Sequence, residues 1–191
     1  MTRSSRIAVM LALLATLTAG CGYNTIQTLD EKVNQAQGQI QAQLQRRADL
    51  IPNLVNTVKG VTKQEDTVFI SIANARSRLG GAIQSGNVPE MAAANAQLTA
   101  GLGRLIAISE NYPQLRSSEN FKQLQDQLEG TENRINASRR DYNEAVQQYN
   151  TLIRTFPTAI GAKVFYGAKA KVPFEAVAAA QTAPAVNFNA S

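Results

Sequence analysis

From Phe121 to Phe156 the apolar positions recur at alternating steps of three and four: Phe121, Leu124, Leu128, Thr131, Ile135, Ser138, Tyr142, Ala145, Tyr149, Leu152 and Phe156. This spacing puts one stripe along one face of a helix. Ser118 with Glu119 offers a start and Pro157 a stop. At ~1.5 Å per residue the pattern predicts a helix roughly 55–60 Å long. Thr131 and Ser138 are weak seam positions, which predicts a bundle rather than a tight two-stranded coiled coil.

An earlier stripe begins near Tyr23 and runs through Ile26, Leu29, Val33, Ala36, Ile40 and Leu44. After the segment RRADLIP it resumes at Leu54, Val58 and Val61, then Val68, Ile72, Ala75 and Leu79. Breaks are expected at Gly80-Gly81 and at Ser85-Gly86-Asn87, with Pro89 in the first turn of the next helix. Met91, Ala94, Leu98, Leu102, Leu105 and Ile106 carry that helix to about Ser109, and NYPQLRSS turns the chain back. Helices joined by short turns pack antiparallel. The expected fold is all-α, an elongated up-and-down bundle of three long helices, or four if Pro52 splits the first.

Pro52 interrupts an otherwise helical stretch. It deprives the Ala48 carbonyl of its amide donor, at ~3 kcal/mol in a helix interior. The cost falls if Asp49 caps a new segment with Leu50 and Ile51 in its first turn. Arg46 and Arg47 would then close the preceding piece, where the helix dipole favours cations. Residue 51 is pushed away from helical dihedrals, so a local kink is expected, and its opened backbone is a candidate binding feature.

The amino terminus, MTRSSRIAVMLALLATLTAGCG, has a basic start and an apolar run from Ile7 to Leu17. That run is about half the ~20 residues a spanning helix needs and suits a signal-peptide core. It ends in Leu17-Thr18-Ala19-Gly20-Cys21, which resembles a bacterial lipobox, although Thr18 stands where that pattern prefers leucine. The expected organisation is a signal peptide over 1–20, acylation of Cys21, and a bundle over 21–157. A mildly apolar, basic segment and a disordered Ala/Pro-rich tail fill 158–191. Several acyl chains anchor stably where one would bind marginally. The resemblance implies an extracytoplasmic chain, and Gly22 in place of aspartate implies the outer membrane if the source has two. Phe165, Tyr166 and Phe174 are expected to pack on the bundle end, the alternative being membrane contact flanked by Lys163, Lys169 and Lys171.

Charge adds little. The net charge is +5, but without Arg3 and Arg6 the 19 Lys and Arg fall to 17 against 14 acidic side chains, about +3. No basic run is interleaved with aromatics, so no nucleic-acid partner is expected. The lone cysteine excludes an intramolecular disulfide. The absence of histidine excludes a Ser-His-Asp triad, a histidine zinc site and a ferritin-type di-iron site. No cofactor is expected.

Longer motifs point to a family. YN at 23–24, QLQRRADLIPNLVNTVKG at 43–60, AR at 75–76, YPQL at 112–115, NFKQLQDQLEGTENRI at 120–135 and RRDYNEAVQQYNTLIRTFP at 139–157 resemble the LemA family. The resemblance implies an antiparallel, helical, membrane-attached domain; it does not imply a reaction.

Tyr142 and Tyr149 are expected in the core, with Glu132–Arg139 and Arg140–Glu144 as surface ion pairs. Asn143 and Asn150, a heptad apart, are candidates for hydrogen bonds between helices. The candidate binding groove combines Arg46, Arg47, Asp49, Pro52 and Asn53 with Arg139, Arg140, Tyr142 and Asn143. The preferred reading is a non-catalytic, lipid-anchored scaffold that binds an envelope protein, organises membrane, or pairs with a second copy. One alternative is a cell-wall hydrolase drawing two carboxylates from Glu110, Glu119, Asp126, Glu129 and Glu132. The other is a lipid or small-molecule carrier with space beside the small residues of 91–103.

Overall fold

The computed structural model describes residues 22–61, 66–164 and 166–175. The expected signal peptide, Cys21, Phe165 and the tail beyond Glu175 lie outside the described residues. The fold is an all-α bundle, with helices α1 (Tyr23–Lys59), α2 (Asp66–Ser85), α3 (Val88–Ser109), α4 (Pro113–Ser117), α5 (Glu119–Leu152) and α6 (Thr158–Val164). Among the described residues no helix is long and apolar enough to cross a membrane.

Contacts divide the chain into two units. The first takes residues up to Gln39 together with Ser138–Pro173. Its buried side chains include Ile26, Val33 and Ala36 from α1 and Tyr142, Ala145, Val146 and Tyr149 from α5. Lys32 Nζ donates to Gln148 Oε1 at 2.9 Å between the same helices.

The second unit takes Ile40–Ala137 and the chain from Phe174. Here α2 and α3 form a helical hairpin. The amide of Asn87 bonds back to the Ala82 carbonyl at 3.2 Å, and Gly86 takes φ 68°, so α2 ends in a Schellman turn. Asn87 then caps α3, its Oδ1 accepting from the Glu90 amide, with Pro89 in the first turn. The hairpin closes tightly because Gly101 faces Ile72: a Cβ there would sit 2.9 Å from Ile72 Cγ1. At this position the small residue of 91–103 serves close packing.

Three boundaries differ from the sequence expectation. Gly80-Gly81 does not break α2, and the first break instead follows Lys59. No neighbour lies within 4 Å of a Cβ at either glycine, so the helix passes through at only the entropic cost of glycine. Helix α5 stops at Leu152, before Pro157, and Phe156 is 82% exposed rather than on the seam. A proline ring excludes helical hydrogen bonding at its own and neighbouring positions, so the turn comes early.

The third difference concerns Pro52. Helix α1 runs unbroken through it, so Asp49 caps no new segment and instead accepts from Gln45 Nε2 at 2.8 Å. The Ala48 carbonyl left without an amide receives Arg76 Nε from α2 at 2.8 Å. A side chain from the neighbouring helix thus replaces the donor that proline removed.

Candidate functional site

Arg47 lies on the buried face of α1, 4% exposed. Its Nη1 donates to Asn95 Oδ1 of α3 at 2.7 Å and touches Glu132 Oε2 of α5 at 2.6 Å. The Glu132 contact is short but poorly aligned, so Oε2 completes no regular hydrogen bond. Arg47 Nε is buried with no acceptor among the described residues. Burial pulls the guanidinium below the usual arginine range, and the Glu132 charge opposes that shift.

This cluster forms the base of an open groove of about 480 Å³. Leu54, Leu102, Ile106 and Leu128 give it an apolar floor, Asp126 and Glu129 stand on its rim, and Gly103 lines one side. A Cβ at Gly103 would meet nothing within 4 Å, so that wall is open. Among the described residues no cluster of His, Cys, Asp or Glu could hold a metal ion. The arrangement suits recognition of a cationic, partly apolar segment.

The residues predicted from sequence fall in both units. Arg46, Arg47, Asp49, Pro52 and Asn53 belong to the second, and Arg139, Arg140, Tyr142 and Asn143 to the first. Of these Arg47 alone lines the groove; Arg46, Asp49 and Asn53 are exposed, and Pro52 is half-buried. Glu132 pairs with Arg47 rather than with Arg139, since the inward-facing guanidinium of α1 reaches it first. Glu144 accepts from Gln148 Nε2 at 3.0 Å.

In the first unit the motif residues of α5 hold the segment after α6. The Tyr142 hydroxyl donates to the Val172 carbonyl at 2.9 Å. The Asn150 amide matches the Lys171 backbone on both sides: Nδ2 donates to its carbonyl and Oδ1 accepts its N–H, each at 2.8 Å. Lys171 Nζ reaches Asp30 at 2.8 Å and lies 5.6 Å from the Tyr149 ring centroid. Burial raises the Tyr142 hydroxyl above the ordinary 10.0. Asn150 bonds to backbone here, a role its heptad spacing did not announce. Asn95 and Gly103 lay in the small-residue stretch 91–103 that the sequence offered as space for a ligand, and Arg76 stood in the quoted AR motif.

The family model described as LemA family matches residues 36–188. Two magnetosome proteins of Paramagnetospirillum magneticum, MamQ 1 and MamQ 2, are each 27% identical to this chain over 171 residues, covering 78% of it and 62% of the relative. Magnetosome protein MamQ of Magnetospirillum gryphiswaldense is 27% identical over 158 residues, covering 71% and 58%. The chain therefore spans about three-fifths of the length of the curated relatives it matches.

Proposed function

This chain belongs to the LemA family, and on that premise we propose a non-catalytic lipoprotein of the cell envelope that docks a partner protein in the Arg47 groove. The anchor is acylated Cys21, supported by the basic start, the short apolar run and the small residues before the cysteine. The chain is extracytoplasmic, on the periplasmic face of the outer membrane if the source has two. Its likeness to magnetosome proteins supports a place at a membrane.

The observation that carries the docking reading is Arg47 itself. A partly paired, desolvated guanidinium adds little stability, because apolar residues of similar volume often replace such groups without loss. Its role is instead to hold the Glu132 carboxylate in the groove lining, beside Asp126 and Glu129. Around it the floor accepts apolar side chains, while Asp126, Glu129 and Glu132 outweigh the one cation. The partner segment is therefore an amphipathic helix bearing Lys or Arg.

A photoreactive side chain at Ile106, in the full chain within its own cells, tests this. The expected result is one envelope protein captured, with capture lost in Gly103→Trp, whose side chain fills the groove from an unobstructed Cβ. Capture undiminished by Gly103→Trp, or capture of a second copy alone, would overturn the groove as the docking site.

A further inference from the structure

Helix α6 is inside out. It buries Ala162 at 1% exposure while Ile160 and Val164, one turn apart, stand 56% and 68% exposed. The Ala159 amide bonds back to the Thr155 carbonyl at 2.8 Å, and Phe156, two residues before the helix, is 82% exposed. Scattered exposed apolar residues are ordinary, but two bulky ones a turn apart on a short helix with a small-residue inner face, preceded by an exposed Phe156, form a patch.

The patch has a defined surrounding. Gly22, bonded to Cys21, lies against Thr158 at the start of α6, close enough that a Cβ would be 2.9 Å from Thr158 Cγ2. A Cβ at Gly161 would lie 3.4 Å from the Tyr166 ring, and that ring meets Tyr23 at 4.8 Å between centroids. The start of α1, the two tyrosines and α6 therefore share one corner of the first unit. Between Ile153 and Ala170 the chain carries Arg154, Lys163 and Lys169 and no carboxylate. All three cations are exposed, and Lys163 lies next to the stripe on the helical wheel. Asp30 of α1 also faces this corner but is paired with Lys171, and aromatic rings, bulky aliphatics and unpaired cations are the composition that sits in the headgroup region of an anionic bilayer.

We infer that Phe156, Ile160 and Val164, flanked by Lys163, lie in the lipid surface at the point where the chain is anchored. This rests on the acylation of Cys21 proposed above. It also separates the aromatic residues by role. Tyr166 stacks beside α6 and Phe174 is 3% exposed, so contact passes to apolar side chains that the sequence had assigned to a helix seam or left unassigned. With the corner seated on lipid, the first unit is held at the membrane by two independent attachments.

The test uses the full chain reconstituted in phosphatidylcholine vesicles containing phosphatidylglycerol and nitroxide-labelled lipid. A bimane fluorophore is placed on Ile160→Cys, on Val164→Cys, or on Asn74→Cys as an exposed control in the second unit. Cys21 is the chain's one cysteine, so acylation leaves the introduced thiol alone reactive. Quenching of about twofold is expected at positions 160 and 164, as for a side chain ~5–10 Å into the acyl boundary, and none at 74. Ile160→Glu should abolish quenching at Val164→Cys, which excludes insertion driven by the dye. Vesicles lacking phosphatidylglycerol should give weaker quenching; equal quenching would overturn the role of Lys163. Quenching that persists without nitroxide lipid would assign the patch to a second copy and overturn the lipid surface. Bimane on Cys21 of the unsubstituted chain, with quenching retained at 160, would sink the anchor and keep the surface. An unlabelled Cys21 with no quenching at 160 would do the reverse.

Discussion

Arg76→Met should cost about 1 kcal/mol in the native chain and only a few tenths in a Pro52→Ala background. Pro52 has no N–H, so the Ala48 carbonyl one turn earlier has no helical partner, and Arg76 Nε supplies one at 2.8 Å. A hydrogen bond to a charged group contributes about 1.5–3 kcal/mol when well shielded. Arg76 is exposed, so water competes for the guanidinium and the figure falls to the lower end. Alanine at 52 restores the amide and the ordinary bond to Ala48, leaving Arg76 as a redundant second donor. Pro52→Ala alone should stabilise by about 1 kcal/mol or more, since an interior proline is ~3 kcal/mol poorer than alanine and Arg76 offsets only part of that.

Urea denaturation of the four chains in this cycle gives the coupling, provided the slopes agree so that midpoints report stability alone. The expected coupling is about 0.7 kcal/mol, with Arg76 worth more when proline is present. Equal costs for Arg76→Met in both backgrounds would refute the reasoning, because they would mean that Arg76 acts elsewhere than at the Ala48 carbonyl.

Asn150→Ala removes both bonds to the Lys171 backbone and should cost about 1–2 kcal/mol, with trypsin cleaving first at Lys169 and Lys171 in limited proteolysis. Tyr142 keeps its proton above the ordinary 10.0 when folded, so as pH climbs past that value the unfolded chain binds fewer protons and stability falls. Thermal melts from pH 9 upward should show this loss, and Tyr142→Phe should flatten it. Glu132→Gln leaves Arg47 buried beside a neutral amide and should destabilise by about 1–2 kcal/mol, reduced from a fully buried pair because Glu132 is one-third exposed. Adding Arg47→Met should recover most of that in the same melts.

The helices were legible because their evidence is periodic and redundant. Val33, Ile40, Leu44, Leu98, Leu105, Phe121 and Ile135 all came from spacing and are all buried. The Schellman turn at Gly86 and the cap at Asn87 were legible for a different reason, since each needs a residue type that little else can replace. Pro52 was half legible. The orphaned Ala48 carbonyl follows from the sequence, but whether the chain breaks or a neighbour supplies a donor depends on which helix packs there. That is why the sequence leaves open whether Asp49 caps a new segment. The groove was least legible, because Arg47, Asn95, Gly103 and Glu132 come from three helices and meet only after packing.

The misplacement of Phe156 shows what periodicity measures. Each step of four advances 40° beyond a full turn of an α-helix, so a stripe kept by fours drifts off the face it began on. The alternation of threes and fours continues to Phe156, but the helix ends at Leu152, and the steps from Phe156 to Ile160 and Val164 are both of four. The seam rule therefore ceases to predict burial at the point where α5 ends. Beyond it the inner face is set by size instead, with Ala162 buried where Ile160 and Val164 are exposed. Bulky apolar side chains then have only the outer face left. A globular core would select against such an arrangement, and an apolar medium on that side would favour it. The sequence distinguishes the two cases only through the charges beside the stripe, which here are all cationic.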